Sequence, residues 1–149
     1  MSDYLDASTL VAVLLDEPAS PAVRRLLISG SEPIVSSFCL GECSAAISGL
    51  VTMGRKSSAQ ADALLDALDD WIATSAVTAE IQEADISDAT LLVRSFDLKL
   101  RLPDAIHVAM AQRMEARLMT LDHRMLDAAR ILGVTCINPA APTAGAPAN

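Results

Sequence analysis

The stretch Pro33-Ile34-Val35-Ser36-Ser37-Phe38-Cys39-Leu40-Gly41-Glu42-Cys43-Ser44-Ala45-Ala46-Ile47-Ser48-Gly49-Leu50-Val51-Thr52-Met53-Gly54 decides how this chain is read. Its first four residues, 33–36, are short and apolar, as a strand buried on both faces requires. Residues 38–53 read as a long helix closed by Gly54. A helix so poor in charge is expected to be apolar on most sides and central to the fold. Glu42 is the only charged residue between Glu32 and Arg55. Burying an ionised carboxylate without a partner is very costly, so Glu42 calls for an opposite charge or a bound cation.

Working outward, the same pattern recurs. Asp6 is the only charge between Asp3 and Asp16, Asp104 the only one between Arg101 and Arg113 with His107 neutral, and Asp122 follows the apolar run at 118–121. The basic residues are too few and too peripheral to neutralise all four, which points to a hard cation. The local pattern assigns residues 4–6 to a strand, after which Ser8 caps an apolar helix running to Leu15. A short helix follows at 21–28, stopped by Gly30. Ser57 and Gln60 form a capping box ahead of a helix whose Leu64, Leu68, Trp71 and Ile72 recur at helical spacing. Asp62, Asp66, Asp69 and Asp70 fall between those positions and read as its solvated face. Further strands are expected at 76–78, 118–121 and 134–137, and helices at 80–94, at 103–115 with Pro103 in the first turn, and at 123–132.

Strands alternating with helices predict an α/β fold: a central, mostly parallel sheet of four to five short strands, covered by helices on both faces. At 149 residues the chain is expected to form one domain, residues 1–138, burying roughly 70% of its unfolded surface. Residues 139–149 contain only Pro, Ala, Thr, Gly and Asn and are expected to form a disordered tail. Aromatic content of 3% argues against binding nucleic acid by rows of stacking rings. A net charge of -8 argues against a general nucleic-acid binder, unless divalent cations alter the local field. Cys39, Cys43 and Cys136 supply no zinc quartet with the two histidines and read as small buried thiols in a reducing compartment. No signal peptide and no apolar run of about 18 residues is visible, so a cytoplasmic, membrane-free protein is expected.

In an open parallel sheet, sites collect beyond the carboxyl ends of the strands. Asp6 and Asp122 end strands there, Glu42 lies in the second turn of a following helix and Asp104 in the first turn of another, so all four can meet at one edge. Carboxylates about 4 Å apart repel by roughly 4 kcal/mol at an effective dielectric of 20. Mg2+ suits oxygen-only ligation, and divalent ions can activate a water for attack on a phosphodiester. Each acid also has a plainer reading. Asp6 and Asp122 can cap helices, and Asp104 is favoured by a helix dipole whatever its function. Glu42, past the first turn, has no such excuse. His107 and His123 stand beside Asp104 and Asp122, where they can assist as ligand or base, or simply pack and face solvent.

Tyr4-Leu5-Asp6-Ala7-Ser8, the lone Glu42, Leu102-Pro103-Asp104-Ala105-Ile106-His107-Val108-Ala109 and Leu118-Met119-Thr120-Leu121-Asp122 resemble the successive motifs of PIN-domain nucleases, most closely the VapC toxins of toxin-antitoxin pairs. The resemblance spans residues 3–138. It implies a three-layer α/β/α PIN-like fold and an endoribonuclease dependent on Mg2+ or Mn2+, homodimeric and inhibited by a cognate VapB-type antitoxin, leaving 5′-phosphate and 3′-hydroxyl RNA ends. Asp6, Glu42, Asp104 and Asp122 match the family's acidic quartet, and Ser8 and Thr120 would orient carboxylates or waters. Lys99, Arg101 and Arg124 lie near these motifs and can bind substrate phosphate. The chain departs from many relatives in lacking an acid within three residues after Asp122, which puts a fifth ligand and a second metal in question. A haloacid-dehalogenase-like phosphatase is the rival reading, but Ser8 stands where that class carries a second Asp. This chain also lacks the paired early acids and the late-strand Lys of a receiver domain, and a non-catalytic PIN-like binding module has no need of four costly carboxylates.

Overall fold

The computed structural model describes residues 1–30 and 32–141. Five strands form one sheet: β1 Asp3–Leu5, β2 Pro33–Ser36, β3 Val77–Ala79, β4 Arg117–Met119 and β5 Cys136–Ile137. Their order is β3-β2-β1-β4-β5, and every pairing is parallel. The seven helices are α1 Ala7–Leu14, α2 Ser20–Ser29, α3 Ser37–Thr52, α4 Ser58–Ser75, α5 Glu83–Arg94, α6 Leu102–Arg113 and α7 His123–Ile131, with a 3₁₀ turn at Phe96–Leu98.

The pleat divides the apolar side chains between two layers, because successive residues of a strand face opposite sides. Tyr4 and Leu118 pack with residues of α5, α6 and α7. Leu5 and Val35 pack with Leu10 of α1, with Cys39, Cys43 and Ile47 of α3, and with α4. The three-layer α/β/α expectation holds, with a wholly parallel sheet. Central β1 is flanked by β2 and β4, so the segments leaving the carboxyl ends of these three strands emerge side by side.

Helix ends follow their chemistry. Ser57 and Gln60 form the expected capping box of α4, and Gly54 and Gly133 take left-handed φ of 66° and 72° just beyond α3 and α7. Asp62, Asp66, Asp69 and Asp70 are exposed, as expected of a solvated face. Of the two caps the sequence offers for α1, the structure uses Asp6, not Ser8, with its side chain accepting the Thr9 N–H. A carboxylate at the cap accepts that N–H with a full charge near the positive end of the helix. The long helix α3 also differs from expectation. Cys39, Cys43 and Ile47 form a single buried stripe, while Gly41, Ala45, Ala46 and Ser48 are exposed. Small side chains give a helix an uncharged surface without requiring its burial.

Two buried acids that the sequence pattern did not single out are neutralised by arginines. Asp3 accepts from Arg117 at 2.6 and 2.9 Å across the β1–β4 pair, and Asp85 of α5 from Arg113 of α6 at 2.7 and 3.0 Å. Of the expected disordered tail, residues 142–149 lie outside the described residues. Residues 139–141 form a turn after β5, where Asn138 accepts the Ala140 N–H on its side chain and the Ala141 N–H on its backbone carbonyl.

Candidate active site

Asp6 follows β1 immediately and is 2% exposed. Its backbone N–H donates to Met119 O at 3.2 Å, carrying the β1–β4 pairing one residue further. The side chain accepts from Thr9 N–H at 2.9 Å, from the Ser8 hydroxyl at 2.8 Å and from the Thr120 hydroxyl at 2.6 Å. Ser8 and Thr120 also reach the segment after β4: Ser8 Oγ accepts the Leu121 N–H at 3.1 Å and Thr120 Oγ1 the Asp122 N–H at 3.0 Å. Two hydroxyls therefore lace the ends of β1 and β4 together around one carboxylate. Asp122 is the N-cap of α7; its Oδ1 accepts from Arg124 and Met125 N–H at 2.8 and 3.3 Å, while Oδ2 has no hydrogen-bond partner among the described residues.

Asp104, 6% exposed, is held by the residue that caps its own helix. Arg101 donates to its Oδ2 through Nε at 2.9 Å and through its backbone N–H at 3.3 Å, and to Oδ1 through Nη2 at 3.1 Å. The i,i+3 spacing at the start of α6 brings Arg101 onto Asp104, so one of the four acids does find a cation within the chain, while no Lys or Arg pairs with Asp6, Glu42 or Asp122 among the described residues. Glu42 is 30% exposed, and its Oε2 lies 2.6 Å from His107 Nε2. His107, one turn beyond Asp104 on α6, is 2% exposed and meets the Tyr4 hydroxyl with Nδ1 at 2.9 Å. Tyr4 in turn bonds Ser36 Oγ at 2.9 Å, and Ser36 caps α3 by accepting the Cys39 N–H at 3.0 Å.

The electrostatic couplings join these acids in overlapping sets. The Arg101 pKa is pushed up, first by its hydrogen bonds to Asp104 and then by the charges of Asp104, Asp122 and Glu42. Burial pushes the Cys43 thiol up to about 12, with Asp6 and Glu42 adding to the effect, and raises Cys39 for the same reasons. Asp6 and Glu42 thus act on the same two thiols, and Glu42, Asp104 and Asp122 on the same guanidinium. Among the described residues no three His, Cys, Asp or Glu side chains form a ready-made metal cage. The donor chemistry nevertheless suits a hard cation: four carboxylates, with Asp122 Oδ2 and Glu42 Oε1 lacking hydrogen-bond partners among the described residues.

Lys99 and Arg124 are exposed, as is Arg101 at 69% of its side chain. Lys99 ends the 3₁₀ turn with a left-handed φ of 54°. His123 is exposed on the first turn of α7. A cavity of about 550 Å3, lined by Ala22, Leu26, Cys136 and Ile137 among others, lies between α2 and β5 and contains none of the four acids. Sequence reasoning passed over Tyr4 and Ser36, and left His107 without a definite role. The signal that could have raised His107 is its i+3 spacing from Asp104, which puts both on one helix face.

Residues 4–131 match the PIN domain family. The chain is 34% identical over 139 residues to Ribonuclease VapC46 of Mycobacterium tuberculosis, an alignment covering 91% of this chain and 96% of the relative. The fold is similar to that of the crystal structure of Mycobacterium tuberculosis VapC20, described as a sarcin-ricin loop cleaving toxin, with a TM-score of 0.68 and 18% identity over 85% of this chain and 94% of that one. It is similar also to VapBC2 from Rickettsia felis, bound to a DNA fragment from its promoter, with a TM-score of 0.68 and 17% identity over 93% and 98% of the two chains.

Proposed function

This chain belongs to the PIN domain family, in its VapC branch, and on that basis we propose that it is a divalent-metal-dependent endoribonuclease, the toxin of a VapBC-type toxin-antitoxin pair. The observation that carries the reading is its near full-length kinship with a ribonuclease of the VapC type.

Asp6, Glu42, Asp104 and Asp122 would hold Mg2+ or Mn2+. Such an ion supplies Lewis acidity, activating water and offsetting charge on the phosphoryl oxygens. The chain's own part is positional. Ser8 and Thr120 fix the plane of the Asp6 carboxylate, so that it need not be reoriented when a ligand arrives. Thr120 also holds the Asp122 backbone and Ser8 that of Leu121, which keeps two acids in a constant relation. Lys99, Arg101 and Arg124 would meet substrate phosphates, a local cationic rim on a chain of net charge -8. No side-chain nucleophile is required.

The partners proposed with this reading are an RNA substrate, a VapB-type antitoxin and a second copy of the chain. Among the described residues no helix is long and apolar enough to cross a membrane, and we place its action in the cytoplasm, where RNA is available. Incubating the purified chain with end-labelled RNA tests the reading. Cleavage is expected with Mg2+ or Mn2+, none in chelator, and none with Asp6→Asn. Cleavage indifferent to chelator, or equally fast in that variant, would contradict it.

A further inference from the structure

The polar chain Ser36–Tyr4–His107–Glu42 is buried along most of its length and closes on itself. It starts at the residue that caps α3, crosses to β1, continues to α6 and returns to α3 at Glu42. We infer that His107, held by Tyr4, is the positioning residue that fixes the Glu42 carboxylate and keeps Oε1 available to a ligand. The inference rests on the ribonuclease reading for its consequence in catalysis, and, for the hydrogen-bond order, on the contact distances taken with an ionised Glu42 and a neutral His107.

That order follows from what each group can give. An ionised carboxylate only accepts, so His107 Nε2 carries a proton toward Glu42 across 2.6 Å. In a neutral imidazole Nδ1 must then accept, so the Tyr4 hydroxyl donates to it. Tyr4 Oη is left to accept from Ser36 Oγ–H, and Ser36 Oγ also accepts the Cys39 N–H. In this direction each of the four groups has a partner, and the Tyr4 proton goes to Nδ1 at 2.9 Å in preference to the weaker thioether acceptor Met110 Sδ at 3.5 Å. Ring packing adds to the restraint: Phe38 and Tyr4 lie 5.2 and 5.7 Å from the imidazole centroid, both tilted to it. Glu42 itself is partly exposed and long, with nothing else among the described residues to hold its carboxylate. The chain also ties α3, which bears Glu42, to α6, which bears Asp104, and both to β1, which leads into Asp6.

The test compares His107→Leu, His107→Gln and Tyr4→Phe with the parent. Gln places an amide donor near the Nε2 position, whereas Leu fills the space without one. With Leu, RNA turnover and Mn2+ affinity are each expected to fall about 10- to 100-fold while KM for RNA stays near the parent value. Gln is expected to restore most of both. Mn2+ affinity is read from the metal-dependent rise in melting temperature, which also verifies folding and needs no RNA. Imidazole nitrogen NMR supplies an independent readout: the parent is expected to carry the proton on His107 Nε2, with that preference weakened in Tyr4→Phe. A Leu variant that folds and retains parent turnover and Mn2+ affinity overturns the inference, as does a proton resident on Nδ1 alone. If the parent cuts no RNA, the ribonuclease reading falls, and the Mn2+ and NMR measurements still decide the role of His107.

Discussion

At Asp122 a helix cap and a proposed metal ligand are the same carboxylate, and one pair of substitutions separates them. Oδ1 accepts two N–H groups of α7, whereas Oδ2 has no hydrogen-bond partner among the described residues. Asn keeps a cap oxygen and removes the charge; Ala removes both. Asp122→Ala is therefore expected to lose about 1 kcal/mol of stability, the usual cost of an N-cap. Asp122→Asn should unfold at the parent's urea midpoint while losing metal-dependent cleavage. Urea melts with matched m-values make the comparison. An Asn variant that is destabilised as much as Ala, or that cleaves RNA at the parent rate, would contradict this division of roles. Asp6 and Asp104 share the double character, each bonded to backbone N–H groups at the start of a helix. Glu42 does not, which is why its partner had to come from another element.

Among the elements, α3 shows how burial, reinforced by nearby acids, writes a pH dependence. Its inner stripe sets Cys39 and Cys43 against the core, and desolvation raises both thiols, Cys43 to about 12 from an ordinary value of 9.0. Tyr4 is raised by the same cause from 10.0. A group with a raised folded pKa contributes stability that is whole below its unfolded pKa and is lost as pH climbs toward the folded value, because the unfolded chain gives up the proton first. Melting temperature in reductant is therefore expected to hold to about pH 8 and to decline steadily from about pH 9 to 11, less steeply in Cys43→Ala. A flat profile to pH 11, or one with the same slope in the variant, would count against the burial of these thiols. Much at this scale was legible beforehand. Short apolar runs, helical spacing and cap residues located five strands and seven helices within a few residues, because local pattern sets where elements begin and end. What escaped was non-local or competitive. Local pattern offered both Asp6 and Ser8 as caps of α1 without ranking them, and the 3₁₀ turn at Phe96–Leu98 carries no periodic signal. The Glu42–His107 and His107–Tyr4 contacts join residues 65 and 103 positions apart, a pairing that no local pattern encodes.

For the molecule as a whole, the strand order explains why acids scattered through the sequence can serve one purpose. With β1 central between β2 and β4, Asp6, the Ser36 cap leading to Glu42, and Asp122 all follow neighbouring strand ends. The helix α6 adds Asp104 and, through His107, grips Glu42. The lone acids at 6, 42, 104 and 122 were visible in the sequence, but not the competing Arg101 pairing, nor the arginines that neutralise buried Asp3 and Asp85. Acids that follow neighbouring strand ends and share electrostatic partners would favour a cation that relieves their repulsion, so the proposed cation affinity is the central claim. Calorimetric titration of Mn2+ into the parent and into Asp6→Asn, Glu42→Gln, Asp104→Asn and Asp122→Asn measures it directly. The account predicts saturable binding by the parent and at least about tenfold weaker binding in every variant. No binding by the parent at millimolar Mn2+, or parent-like affinity in all four variants, would contradict it.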